Sequence, residues 1–117
     1  MIVAIIQARM GSTRLPGKVL MEVDGRPLLA YQLDRILKSV YVEKVVVATT
    51  CLRQDDIIQH FCNDYGIDCF RGSENDLITR YYDCAIKYNA DIVVRSTADD
   101  PLIDPKLVDD VIKKFND

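Results

Sequence analysis

Short apolar runs alternate along this chain with stretches of helical periodicity. Two runs dense in valine and isoleucine lie at residues 2–7 and 44–50, and two shorter runs of the same kind lie at 67–70 and 91–95. Uninterrupted apolar runs of this length are typical of strands buried on both faces of a parallel sheet. We therefore predict four strands.

Apolar residues between and after these runs recur at helical spacing, which predicts four helices. Pro27 suits the first turn of the first helix, Gly66 suits the end of the second, and the Asp104–Pro105 pair suits the start of the fourth. The residues expected to face the core are Leu29, Leu33, Ile36 and Leu37; Ile57, Ile58, Phe61 and Cys62; Leu77, Tyr81, Cys84, Ala85 and Tyr88; and Leu107, Val108, Val111, Ile112 and Phe115. The segment 19–25 is interpreted as a short extended piece with a turn at Asp24–Gly25.

Four alternations of strand and helix predict an α/β fold with a doubly wound, mainly parallel sheet and four β-α units. The 117 residues, 49% of them hydrophobic, are enough for one domain, 1–117. Ligands of such sheets bind beyond the carboxyl ends of the strands. The polar residues in the segments that follow the four strands are Arg9, Ser12, Arg14, Lys18, Arg71, Asp99 and Asp100.

The charge is distributed unevenly. Residues 1–21 hold three cations, Arg9, Arg14 and Lys18, and no acid, whereas the other 96 residues hold 12 bases and 18 acids. Cations collected on one loop of an acidic protein predict a site for a polyanion, and a nucleoside triphosphate fits best. The net charge of −3 argues against nucleic acid as the partner. No signal peptide or membrane-spanning run is recognised, so we expect a cytoplasmic protein without a membrane partner.

The loop reads ARMGSTRLPGK at residues 8–18 and matches neither common phosphate-binding fingerprint. Five residues separate Gly11 from Gly17, and Val19 follows Lys18, so the Walker A pattern fails; the dinucleotide pattern G-x-G-x-x-G fails as well. Gly11 and Ser12 would let backbone N–H groups approach phosphate, and Pro16 would stiffen the return to Lys18. A solvated basic loop is the alternative.

The four cysteines are expected to be reduced thiols. They form no C-x-x-C pair, and a single histidine, His60, is available to complete a zinc set. Cys62, Cys69 and Cys84 lie in apolar stretches, where cysteine behaves as a small hydrophobe.

Four blocks in order resemble one known family. They are QARMGSTRLPGKVL at 7–20, VVVATT at 45–50, FRGSENDLITRYYDCA at 70–85 and RSTADDPLIDP at 95–105. They resemble the CMP-sugar synthetases, that is, the acylneuraminate and Kdo cytidylyltransferases, and are nearest to the spore coat polysaccharide biosynthesis F proteins. The resemblance covers essentially the whole chain but about the N-terminal half of a typical member. It implies a nucleotide-diphospho-sugar transferase fold, Rossmann-like, with strand order 3-2-1-4.

The resemblance also implies roles for individual residues. Binding of CTP is carried over to Ala8, Arg9, Ser12, Arg14 and Lys18, with Gly11 from the loop argument, and to Thr49, Arg71, Gly72 and Ser73 around the base. Arg9 and Lys18 are the expected catalytic residues, and Asp99 is the expected ligand of Mg²⁺. Asp100 is a departure from the family, since the spore coat group usually has cysteine there; it could join the metal or cap a turn, and we favour the turn.

The implied reaction transfers CMP from CTP to a sugar, with a sugar acid as the expected substrate, and releases pyrophosphate, in surface or spore-coat polysaccharide biosynthesis. A homodimer is expected for the full-length protein, and little turnover is expected from these 117 residues alone. The alternatives are a nucleotidyltransferase that uses another triphosphate or a sugar 1-phosphate, and a non-catalytic nucleotide-binding domain. Asp76 and Arg80 are interpreted as a surface ion pair, and Asp55 and Asp56 as acids of a helix's first turn.

Overall fold

The computed structural model describes residues 1–11, 17–97 and 105–116, with side chains as far as residue 114. In chain order its elements are β1 (Ile2–Gln7), a 3-10 turn (Lys18–Leu20), β2 (Glu22–Val23), β3 (Arg26–Pro27), α1 (Leu28–Ile36), β4 (Lys44–Thr50), a 3-10 turn (Arg53–Asp55), α2 (Asp56–Tyr65), β5 (Asp68–Gly72), α3 (Leu77–Lys87), β6 (Ile92–Thr97) and α4 (Pro105–Asn116).

Within these ranges the main sheet has four parallel strands in the order β5-β4-β1-β6. Numbered along the chain, the four long strands therefore lie in the order 3-2-1-4. The predicted fold class and strand order are both confirmed.

The two faces of the sheet are covered by different helices. Ala4 and Ile6 of β1 pack in one cluster with residues of α1 and α2, while Val3 and Ile5 pack in a second cluster with Tyr81 and Cys84 of α3. Alternate side chains of a strand point to opposite faces, so a strand covered on both sides must be apolar throughout. This burial explains the unbroken apolar runs.

The short extended piece predicted after the first loop is a two-stranded hairpin of β2 and β3. Its turn is at Asp24 and Gly25, whose φ angles are 53° and 78°. Two consecutive residues with positive φ are typical of the tight hairpin turns that favour Asp-Gly, which confirms the turn predicted here. Pro27 lies in β3 and precedes α1 by one residue, so it is not in the helix's first turn.

The inward faces of the helices are narrower than predicted. The residues that were expected in the core and are 40–62% exposed are Leu37, Ile57, Leu77, Leu107 and Val111. In α4 the buried positions are Val108 and Ile112, one turn apart.

All four cysteines are free thiols. Cys62 and Cys84 are buried as predicted, Cys69 is half-buried, and Cys51 is exposed. Burial raises the pKa of the Cys84 thiol to about 12. The pKa of Cys62 is raised as well, first by its hydrogen bond with Cys69 and then by burial. The described part of the chain has no helix long and apolar enough to cross a membrane.

Candidate functional site

The polar segments predicted to form a site meet at one edge of the sheet. All four long strands are parallel, so their carboxyl ends lie on the same side. The register places Gln7 beside both Ala48 and Thr97, and Thr50 beside Gly72. The loops that follow β1, β4 and β5 therefore converge.

The first loop is closed at its neck by backbone hydrogen bonds. The Ala8 N–H donates to the Ala48 carbonyl at 3.0 Å, and the Gly17 N–H donates to the Met10 carbonyl at 2.9 Å. Gly17 has φ 77°, a conformation that glycine adopts without strain. The bond between positions 10 and 17 brings the two sides of the loop together, with Arg9 on one side of the neck and Lys18 on the other.

Neither of these two cations has a counter-ion within the described ranges. No hydrogen bond or ion pair joins the side chain of Arg9 or Lys18 to a residue of 1–11, 17–97 or 105–114. Both residues are partly buried. Two unneutralised cations at the neck of a loop make a favourable place for an anion.

A buried carboxylate fastens this neck to the segment after β4. Asp55 is fully buried; its Oδ1 accepts from the Met10 N–H at 2.7 Å, and its Oδ2 accepts from the Thr50 hydroxyl. Asp55 lies at the start of a helix as predicted, in the 3-10 turn that leads into α2, but its carboxylate serves the neighbouring loop and does not cap the helix. Asp56, which begins α2, is exposed.

Gly11 lies beside the 3-10 turn that carries Gln54 and Asp55. A Cβ at position 11 would lie 2.6 Å from Nε2 of Gln54, which is the far end of an exposed and flexible side chain that can move aside. Through Asp55, this turn supports the neck of the loop. Nothing in the sequence pattern pointed to this turn.

The Arg71 side chain braces the same segment from the other side. Its Nε donates to the Thr50 carbonyl and its Nη2 to the Leu52 carbonyl, both at 2.7 Å. Its Nη1 donates to Asp56 at 2.7 Å and to Gln59 at 3.0 Å. Because its guanidinium makes four hydrogen bonds within the protein, Arg71 has few donors left to contact a base. Any base recognition by the 71–73 turn would therefore fall mainly on backbone groups.

Asp76 and Arg80 do not form the surface ion pair predicted for them. Asp76 caps the N-terminus of α3, where its carboxylate accepts from the Thr79 N–H at 3.0 Å. That hydrogen bond lowers the pKa of Asp76. Arg80 is only 2% exposed and donates from Nε to the Ser73 carbonyl at 2.8 Å and from Nη2 to the Glu74 carbonyl at 3.3 Å.

Three buried side-chain atoms of the described residues lack a hydrogen-bond partner: Oε1 of Gln32, Oγ1 of Thr49 and Nη1 of Arg80. Thr49 is the next-to-last residue of β4. The Arg80 side chain reaches the turn that follows β5. Gln32, in α1, donates from Nε2 to the Ser96 hydroxyl at 2.7 Å and to the Thr97 carbonyl at 2.6 Å. All three therefore belong to elements at the carboxyl edge. Unsatisfied buried polar atoms are uncommon and mark places where a ligand or water completes the structure.

Sequence reasoning missed Gln32. The signal for it was a polar residue within the inward stripe of α1, between Leu29 and Leu33, which is unusual unless its amide is used.

The structure brings together part of the predicted site. The predicted residues that it places at or beside the carboxyl edge are Ala8, Arg9, Gly11, Lys18, Thr49, Arg71, Gly72 and Ser73. Ser12, Arg14, Asp99 and Asp100 lie outside the described residues. Among the residues described, no three potential ligands from His, Cys, Asp and Glu are grouped as a metal site would need.

Comparison with known proteins gives this edge a context. The sequence profile of a family described as cytidylyltransferase matches residues 3–117. The spore coat polysaccharide biosynthesis protein SpsF of Bacillus subtilis is 38% identical over 120 aligned positions, which cover 99% of this chain and 50% of SpsF.

Two solved structures are similar in fold and sequence. A cytidylyltransferase from Leptospira borgpetersenii superposes with a TM-score of 0.94 at 46% identity, over 98% of this chain and 48% of that one. The CMP:2-keto-3-deoxy-manno-octonic acid synthetase complexed with CTP superposes with a TM-score of 0.82 at 31% identity, over 98% of this chain and 47% of that one.

The chain thus spans about half the length of the relatives it matches. The match of the family profile runs through nearly every residue, from the first strand to the last helix. This chain belongs to the cytidylyltransferase family.

Proposed function

We propose that this chain is the nucleotide-binding part of an enzyme that transfers CMP from CTP to a sugar and releases pyrophosphate. The observation that carries the proposal is the pair of partly buried cations, Arg9 and Lys18, at the neck of the first loop without a counter-ion in the described ranges. A triphosphate carries about four negative charges and would supply the missing counter-charge.

The proposed chemistry needs positioning and charge more than covalent help. A sugar hydroxyl attacks the α-phosphorus, and the bond to the bridging oxygen of pyrophosphate breaks. Arg9 and Arg14 suit the β- and γ-phosphates because a guanidinium offers paired donors. Lys18 suits the leaving pyrophosphate because its ammonium group can follow charge as it develops.

The choice of CTP and of a sugar acid rests on relatives. One of the similar solved structures is a CMP:2-keto-3-deoxy-manno-octonic acid synthetase complexed with CTP. The role in spore-coat or other surface polysaccharide rests on SpsF alone. Localisation in the cytoplasm and a homodimer of the whole protein belong to the same proposal.

Mg²⁺ is the proposed metal, with Asp99 as its ligand. Thr97, the last residue of β6, pairs in register with Gln7, the last residue of β1. Asp99 comes two positions after Thr97 in sequence, and the first loop follows Gln7, so the two segments leave neighbouring strands at the same level of the sheet. A carboxylate oxygen is the type of ligand that Mg²⁺ takes. When bound, the ion would offset charge on the triphosphate.

Ligand-dependent stability tests the proposal on the chain itself. CTP at about 100 times its dissociation constant should raise the free energy of unfolding by about 2.7 kcal/mol, read as a rise in melting temperature. Lys18→Ala should reduce this rise, and Lys113→Ala, which removes an exposed cation from α4, should not. A rise with another triphosphate equal to that with CTP would favour a different nucleotidyltransferase. No rise with any triphosphate would overturn the proposal.

Activity is tested as pyrophosphate release from CTP in the presence of a sugar acid and Mg²⁺, using the longest native form of the protein. Lys18→Ala should slow release by roughly 100- to 1,000-fold, the usual effect of removing one donor to developing charge. Binding of CTP without any release in that form would reduce the proposal to a non-catalytic nucleotide-binding domain.

A further inference from the structure

Arg80 is a buried arginine without an acidic partner. It is 2% exposed, and two of its nitrogens donate to the carbonyls of Ser73 and Glu74. No ion pair to Arg80 occurs within the described ranges, and its Nη1 has no hydrogen-bond partner. Carbonyl oxygens satisfy some of its donors but do not neutralise its charge.

Such an arrangement is costly in a free protein. A cation removed from water loses its hydration, and only a nearby negative charge with good geometry compensates for that loss. An arginine is also a poor choice for a purely structural contact to two carbonyls, which neutral donors could make. The burial of this charge therefore needs a reason beyond the shape of the turn.

The described surroundings of Arg80 supply one negative charge for two cations. Burial lowers the pKa of Arg80, and the positive charge of Arg9 lowers it further, so the two guanidinium groups are close enough to repel. The negative charge of Asp55 raises the pKa of Arg80. Its carboxylate already accepts from the Met10 N–H and the Thr50 hydroxyl. Among the described residues, two cations thus face one acid, which leaves one positive charge without a counter-charge.

The location of Arg80 suggests what completes the cluster. Its guanidinium donates to the carbonyls of Ser73 and Glu74 in the turn that follows β5, and its Cγ lies beside Gly72, where a Cβ would be 3.3 Å away. Arg9 stands at the neck of the loop that follows β1. The pair therefore lies between the proposed base-recognition turn and the proposed triphosphate loop. A nucleotide that spans both would place the phosphate nearest its ribose between them.

We propose that Arg80 binds the nucleotide directly, by donating from Nη1 to an anionic oxygen of the phosphate nearest the ribose, with Arg9 beside it. This assignment rests on the proposed function, which it deepens. Nη1 is closed to solvent in the ligand-free chain, so binding needs a change of side-chain torsion that presents it to the edge while Nε keeps the Ser73 carbonyl.

The test compares three ligands that differ in phosphate alone: cytidine, CMP and CTP. Arg80→Met keeps an unbranched apolar stem and removes the charge. This substitution should weaken the binding of CMP and CTP by roughly 10- to 100-fold, as expected for loss of a charge-assisted hydrogen bond. It should change the affinity for cytidine by less than about twofold. Calorimetry serves for the nucleotides, and NMR shift titration serves for the weaker nucleoside.

Lys87→Met is the matched control, because it removes one positive charge from the last turn of the same helix, where Lys87 is exposed. It should leave all three affinities unchanged. Equal weakening of cytidine, CMP and CTP in Arg80→Met would show that Arg80 only holds the 73–74 turn, and unchanged affinities would also overturn the assignment. A wild-type chain that binds none of the three would instead refute the proposed function.

If Arg80→Met fails to fold, as judged by circular dichroism, Arg80→Lys replaces it. The lysine keeps the charge but loses the forked donors, so the loss should be smaller and still confined to CMP and CTP. A loss that extends equally to cytidine in this variant would again contradict the proposal.

Discussion

The Asp55 carboxylate lies where two loops meet and accepts a hydrogen bond from each of them. One bond comes from the backbone of the first loop at Met10, and the other comes from the Thr50 hydroxyl at the end of β4. Because the group is fully buried, water cannot replace it if it is removed. A single side chain thus sets the distance between the proposed phosphate loop and the neighbouring strand.

Asp55→Ala should destabilise the fold by about 1–3 kcal/mol, since it leaves the Met10 N–H and the Thr50 hydroxyl without their acceptor. It should also weaken CTP binding, because the neck of the loop loses its support. Urea denaturation and CTP titration measure the two effects. Asp64→Ala, an exposed position on α2, is the control and should change neither. An Asp55→Ala chain of unchanged stability would contradict the role given to this carboxylate.

At the scale of single elements, the start of α3 is defined by local hydrogen bonds. The Asp76 carboxylate accepts from the Thr79 N–H at 3.0 Å, and the Ser73 hydroxyl accepts from the Asp76 N–H at 3.2 Å. A helix leaves its first N–H groups without partners, and a side chain at the N-cap supplies one. The cap therefore fixes where the 73–74 turn ends and the helix begins.

This cap should make stability depend on pH in the acid range. The Thr79 N–H lowers the pKa of Asp76 below its ordinary 3.8, so the unfolded chain binds the proton more tightly than the folded chain. The contribution is fully present above the unfolded pKa and is lost as the pH falls through the folded pKa. The difference in unfolding free energy between wild type and Asp76→Asn, which caps but does not titrate, should be constant near neutral pH.

That difference should shift against the wild type below about pH 4, as the carboxylate takes up its proton. Denaturant titrations at a series of pH values measure it. Asp83→Asn, at an exposed position in the middle of α3, is the matched control. A wild-type minus Asp76→Asn difference that stayed flat down to pH 2 would count against the cap as the cause.

At the scale of the whole molecule, the last helix is fastened to the first. Asp109 of α4 accepts from the Ser39 hydroxyl, from the Val40 N–H at 3.0 Å and from the Tyr41 N–H at 3.2 Å, all in the turn that follows α1. These contacts join segments that are about 70 residues apart in sequence. Together with the buried Val108 and Ile112, they hold α4 in place.

Asp109→Ala should therefore lower the free energy of unfolding by about 1 kcal/mol, the usual net value of such hydrogen bonds. Hydrogen exchange should show the loss most clearly in α4. Asp110→Ala, at the adjacent exposed position, should be close to neutral. Equal effects of the two changes would argue that Asp109 contributes no more than a surface acid.

Much of the fold follows from the pattern of apolar residues. Strands covered on both faces leave few positions for polar side chains before their carboxyl ends, so the runs at 2–7 and 44–50 are visible without a structure. Alternation with helices then leads to a parallel sheet and to ligand binding at the carboxyl edge. The hairpin turn at Asp24–Gly25 is equally visible, because a positive φ restricts which residues can stand there.

The resemblance located Arg9, Lys18 and the 71–73 turn, and the structure shows that their segments share one edge. The resemblance did not reveal what the side chains do there. Arg71 was read as a contact to the base, yet its donors are used within the protein. A motif identifies a conserved kind of residue and leaves open whether the side chain faces the ligand or supports the loop.

What the sequence determined by itself was the order of elements, the class of fold and the edge at which the polar chemistry collects, because these depend on the spacing of apolar residues along the chain. What only the tertiary structure decided was the use of individual charges. Asp55 and Arg80 read as ordinary polar positions of helices, yet both are buried: Asp55 bonds to Met10, which is 45 positions away in sequence, and Arg80 lies against the turn that follows β5. Whether a charge meets water, a backbone group or another charge is set by three-dimensional neighbours, which local spacing does not encode.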